Sequence, residues 1–133
     1  MKPTISILLI GNDAADLISL RDTLQRRSIL YQLIHVSYDA HGLEVIDNLR
    51  VSPDIILLDL TLPYGHALEM AKRISSNPLF IESRLFVMAS TDNKDDRSVA
   101  SNIGAAGYLL KPLRLDSPKT RDALILMIDI LTV

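Results

Sequence analysis

Residues 54–69 read DIILLDLTLPYGHALE. Four large apolar residues, Ile55 to Leu58, run directly into Asp59, and Ala67 then opens a stripe that continues at Ala71 and Ile74. A short apolar run bounded by polar residues suits a strand buried on both faces, and the stripe that follows has helical spacing. The same unit recurs along the chain. "ISILLI" (5–10), "YQLIHV" (31–36), "RLFVMAS" (84–90) and "GYLL" (107–110) join "DIILLDL" (54–60) as five strands. Leu17, Leu20 and Leu24 form one helical stripe, and Leu43, Ile46 and Leu49 another. A polar stretch, 95–103, makes a thin-faced fourth helix. The fifth starts about Ser117, with Pro118 where a first helical turn tolerates it. Strands alternating with helices imply right-handed crossovers and an α/β fold with a mainly parallel sheet covered on both faces.

Composition narrows the function. The 133 residues suit a single domain, 1–133, and 48% apolar content gives it a core. A net charge of -2 offers no basic footprint, so no direct nucleic-acid binding is expected. No stretch reaches the roughly 18 apolar residues of a membrane span. "MKPTIS" runs into the first strand without a cleavage signal, and Cys is absent, which fits a cytoplasmic protein free of disulfides and thiolate metal sites.

In such sheets ligands bind beyond the carboxyl ends of the strands. Strand one ends at Gly11-Asn12-Asp13, strand three at Asp59, strand four near Ser90 and strand five just before Lys111. A carboxylate emerging from the core beside an ammonium group makes a place for an anion attached to that carboxylate.

The two segments "DIILLDLTLPYGHALE" (54–69) and "GAAGYLLKP" (104–112) together resemble the receiver domain of bacterial response regulators, over nearly the whole chain. The resemblance implies a flavodoxin-like three-layer α/β/α sandwich with strand order 2-1-3-4-5. It casts Asp59 as phosphoacceptor, a carboxylate nucleophile forming an acyl phosphate. Lys111 would pair with the phosphoryl oxygens, ahead of a cis Lys111-Pro112 bond. Tyr108 falls where the family has its aromatic switch residue. Ser90 is the hydroxyl candidate by residue type, although an ungapped count back from Lys111 gives Ala89. The expected partners are a sensor histidine kinase or phosphotransfer protein, and an output domain or target bound by the fourth helix, fifth strand and fifth helix. The protein would be no enzyme beyond catalysing its own phosphotransfer and dephosphorylation.

The family's cofactor is Mg²⁺, held through an adjacent acidic pair at the end of strand one and the backbone carbonyl two residues after the acceptor, here Thr61. Ungapped alignment sets Gly11 and Asn12 on that pair and leaves Asp13 one place along. The metal set becomes Asp59, Asp13, Asn12 and Thr61, a weak site with slow phosphorylation. The alternative is a degenerate receiver that docks partners without phosphorylation. A flavin carrier on the same fold is disfavoured by the missing phosphate loop and 5% aromatic content.

Other candidates are blander. His35, His41 and His66 share no ligand spacing. Asp92, Asp95 and Asp96 suit the start of the fourth helix. In the last helix Leu124, Ile128 and Leu131 form the packing stripe. Ile125, Leu126 and Ile130 are left for a partner, a homodimer or a continuation of the chain.

Overall fold

The structure, a computed structural model, describes residues 4–61, 64–118 and 120–132; of residues 64, 65 and 130–132 it describes only the backbone. Strands and helices alternate as the pattern predicts: β1 (Ile5–Ile10), α1 (Ala14–Arg26), β2 (Tyr31–Val36), α2 (Ala40–Asp47), β3 (Ile55–Asp59), α3 (Tyr64–Ser76), β4 (Arg84–Ala89), α4 (Lys94–Asn102), β5 (Gly107–Leu110) and α5 (Arg121–Thr132). A 3₁₀ turn, Pro78–Phe80, joins α3 to β4. All pairings are parallel and the order is β2-β1-β3-β4-β5, so every strand's carboxyl end lies on one edge.

The two-residue period of a strand divides the core into two layers. Ile5, Ile7 and Leu9 of β1, Ile55 and Leu57 of β3 and Phe86 and Met88 of β4 meet Leu20, Leu24, Leu124, Met127 and Ile128 of α1 and α5. The alternate residues, Leu8, Ile10, Ile56, Leu58 and Val87, meet Ile46, Met70, Ala71 and Ile74 of α2 and α3, and Ala100 of α4. Each leucine, isoleucine, valine, methionine or phenylalanine side chain withdrawn from water is worth about 1.5–3 kcal/mol.

Several boundaries and one burial pattern differ from the reading of the sequence. β2 is an edge strand, with Gln32 and Ile34 exposed, so it is covered on one side rather than both. The first helical residue of α5 is Arg121; Pro118 belongs to the preceding turn, where Thr120 and Arg121 donate backbone hydrogen bonds to Ser117. Leu49 lies past the end of α2 yet still packs on the core. Asn93, not an aspartate, caps α4; Asp96 receives the Asn93 amide while Asp92 pairs with Arg97. Met127 joins the packing face of α5, Leu126 is 61% exposed, and the side chains of Ile130 and Leu131 lie outside the described residues.

Candidate functional site

Strand parity decides which side chains meet at the carboxyl edge. Asp59 follows Ile55 and Leu57 on the face covered by α1 and α5. Lys111 follows Leu109 onto the same face. The α1 side chain that reaches them is Asp16, on one stripe with Leu20 and Leu24 at i+4 and i+8. Lys111 Nζ lies 2.7 Å from Asp59 Oδ2 and 2.8 Å from Asp16 Oδ2, with both carboxylates buried. Asp59 Oδ1 accepts from Thr61 N at 2.8 Å and Thr61 Oγ1 at 2.7 Å. Apart from its ion pair, Asp16 Oδ2 accepts no hydrogen bond among the described residues. The result is an ammonium bridging two buried carboxylates, one formal negative charge in excess. The Lys111-Pro112 peptide bond is cis.

Asp16 was missed by sequence reasoning. The available signal was an acid at a buried helical position, in phase with two leucines.

The electrostatics follow from burial and pairing. Burial alone would lower the Lys111 ammonium, but its hydrogen bonds to Asp16 and Asp59 outweigh that and hold it above the usual 10.5. Burial pushes the Asp16 carboxyl above its usual 3.8; Lys111 opposes this, and the Asp59 and Asp13 charges add to it. A lysine raised on folding stabilises fully below its unfolded value and loses that contribution as pH rises through the folded one. The stability gap between wild type and Lys111→Met, measured by urea denaturation, should therefore hold from neutral pH to 10.5 and narrow above it. A gap that ignores pH there would contradict the ion cluster.

The other strand-end residues are placed as follows. Gly11 continues the parity of Ile7 and Leu9 and faces Asp59: a Cβ there would lie 3.0 Å from Asp59 Cβ and 3.2 Å from Oδ2. Asn12 Oδ1 accepts from Tyr38 N at 2.9 Å, tying β1 to the β2–α2 loop. Asp13 is exposed and caps α1, accepting from Ala15 N. Ser90 is exposed and follows Ala89, the buried last residue of β4; hydrogen bonds to Asp59 come from Thr61 and Lys111. Tyr108 donates its hydroxyl to Thr91 O at 2.9 Å, and the Arg97 guanidinium sits 4.7 Å above its ring, linking β5 to the β4–α4 loop and α4. The histidines are dispersed: His35 Nε2 meets Gly11 O at 2.8 Å, His66 stacks on Tyr38, and His41 is exposed.

Mg²⁺ demands octahedral oxygens at about 2.0–2.1 Å, and several of the protein donors here are already engaged. Asp59 Oδ1 accepts two hydrogen bonds and Oδ2 an ammonium, while Asn12 and Asp13 serve backbone amides. Among the described residues no three His, Asp or Glu side chains converge on a place for a metal ion. As arranged, this donor set fits Mg²⁺ poorly. No helix among them is long and apolar enough to cross a membrane.

Comparisons with known proteins bear on the family and the fold. A family model of the response regulator receiver domain matches residues 7–121. The transcriptional regulatory protein CrdR of Helicobacter pylori is 33% identical over 105 residues, covering 75% of this chain and 49% of that protein. The response regulator MprA of Mycobacterium ulcerans is 29% identical over 113 residues, 85% of this chain and 46% of that protein. The chain thus spans about half the length of these relatives. Among solved structures, a response regulator from Hahella chejuensis superposes with a TM-score of 0.78 at 19% identity, covering 97% of this chain and 96% of that one. A signal receiver domain from Clostridium thermocellum gives 0.77 at 19% identity, over 96% and 98%. Both show the same fold.

Proposed function

The chain belongs to the response regulator receiver family of two-component systems, and on that footing we propose that Asp59 accepts a phosphoryl group from a histidine kinase or phosphotransfer protein. The observation that carries this reading is the ammonium of Lys111 2.7 Å from the Asp59 carboxylate at the carboxyl edge of the sheet. In the transfer, Asp59 Oδ2 attacks phosphorus. A P–O bond forms while the P–N bond of the phosphohistidine breaks, and its electron pair leaves on the imidazole nitrogen, which takes up a proton. Thr61 keeps the other carboxylate oxygen fixed through two hydrogen bonds. Lys111 is placed to neutralise charge on the phosphoryl oxygens. Receiver domains are generally Mg²⁺-dependent; the metal set Asp59, Asp13, Asn12 and Thr61 would form at best a weak site, for the reasons of donor commitment given above.

Ser90 stands exposed one residue past β4, whose last residue, Ala89, is buried and has no hydroxyl. Ser90 is read as the hydroxyl that would follow the phosphoryl group. The Tyr108–Thr91 hydrogen bond would be the switch element, altering the α4–β5–α5 surface for an output domain, a target protein or a second copy. The single domain 1–133 is read as a receiver unit of a longer or free-standing cytoplasmic regulator.

A second reading, a receiver that docks partners without phosphorylation, is favoured by one observation: both oxygens of Asp59 are engaged and the residue is 1% exposed. Incubation with a small phosphodonor followed by intact-mass measurement separates the two. A gain of one phosphoryl group, absent from Asp59→Asn, supports phosphoacceptance. An unchanged mass, or a gain that survives Asp59→Asn, rejects it.

A further inference from the structure

The mismatch between this pocket and Mg²⁺ has a structural counterpart, because a cation is already built into it. Lys111 Nζ contacts Asp59 Oδ2 and Asp16 Oδ2 at 2.7 and 2.8 Å, as a bridging ion would. The strand-end position facing Asp59 is Gly11, which contributes no side chain. The second carboxylate comes instead from the first turn of α1, where Asp16 is only 5% exposed. Asp16 and Asp59 are the buried carboxylates among the described residues, and they share one partner. Two buried negative charges need compensation, and a positive charge already in contact with both removes much of the attraction for a second one.

We infer that the Lys111 ammonium, clamped between Asp16 and Asp59, is the resident cation of this pocket and takes the place of a divalent metal ion. Asp16 is then the residue that turns a strand-five lysine into an internal counter-ion. An ammonium has three donors and two meet carboxylates, so one remains for an incoming oxyanion. The inference rests on pocket geometry and not on phosphotransfer. A chain that fails to be phosphorylated leaves it standing, and a wild type that binds Mg²⁺ overturns it without touching the role of Asp59.

The test is a Mg²⁺ titration of the full chain, followed by amide chemical shifts and thermal melting, in wild type, Lys111→Ala and the double variant Lys111→Ala/Asp16→Asn. Wild type should show no saturable shifts at Asp16, Asp59 or Thr61 and no change in melting. Lys111→Ala leaves two carboxylates facing a space that an ammonium filled. It should bind Mg²⁺ about tenfold more tightly than wild type or better, with the melting temperature rising on addition. The double variant should lose that gain. Saturation of wild type at low Mg²⁺, or a Lys111→Ala chain that binds no better than wild type, would overturn the inference. If Lys111→Ala is unfolded without Mg²⁺, recovery of its fold on adding Mg²⁺ supports the proposal, and failure to recover counts against it. Lys111→Gln, which keeps most of the side-chain volume and drops the charge, should also bind Mg²⁺ more tightly than wild type; affinity no better than wild type would mean that bulk and not charge keeps Mg²⁺ out, and would overturn the inference.

Discussion

Lys111→Met is expected to lower folding stability by about 3–5 kcal/mol, since removing one partner of a buried ion pair leaves an uncompensated charge. The cost is greater here than for an ordinary pair because two carboxylates lose their counter-ion together. Asp59 keeps its hydrogen bonds from Thr61 N and Oγ1, which soften its loss. Asp16 Oδ2 keeps nothing comparable. Most of the cost should therefore fall on Asp16, and the double variant Lys111→Met/Asp16→Asn should regain part of it. Urea denaturation of the three proteins measures this directly. A loss under about 1 kcal/mol, the range of exposed ion pairs, would mean that the cluster is solvated in solution.

Gly42→Ala is expected to destabilise by about 3 kcal/mol, at the upper end of the usual overpacking range. Glycine to alanine within a helix normally stabilises, by roughly 0.5–1 kcal/mol. At Gly42 in the first turn of α2 the sign reverses, because the added Cβ would lie 1.8 Å from Ser37 O and 2.8 Å from Val36 Cγ1. The nearest obstacle is backbone and cannot rotate away. The segment it would push carries the Asp39 cap, which accepts from Gly42 N at 2.7 Å, and the Tyr38 N–H held by Asn12. The damage should spread toward the end of β1, visible as amide shift changes at Asn12. Thermal denaturation showing Gly42→Ala at or above wild-type stability would contradict the close approach.

What was legible in the sequence divides along physical lines. The strands were legible because burial on two faces leaves runs such as Ile55–Leu58 with no polar interruption, and parallel order followed from alternation with helices. The pairing of Asp59 with Lys111 was legible because both stand at strand ends, which a parallel sheet gathers on one edge. Asp16 was not. An acid in the first turn of a helix ordinarily reads as a favourable charge near the helix dipole, and only the crossing of α1 over β1 and β3 turns it inward toward Lys111. Asp13 was set beside the metal on one-dimensional alignment, yet its carboxylate also has the local geometry of a helix cap, and the structure uses it there. The start of α5 was placed too early because Pro118 satisfies the rules for a first turn and for a preceding loop equally well.

The central claim is that an acid at the end of β3 and an amine just past β5 act as one unit. A double-mutant cycle on Asp59→Asn and Lys111→Met, read by chemical denaturation at neutral pH, tests it most directly. Coupling above about 1 kcal/mol is expected for groups in contact within one ion network. Stability changes that add to within about 0.5 kcal/mol would show that the two side chains do not meet.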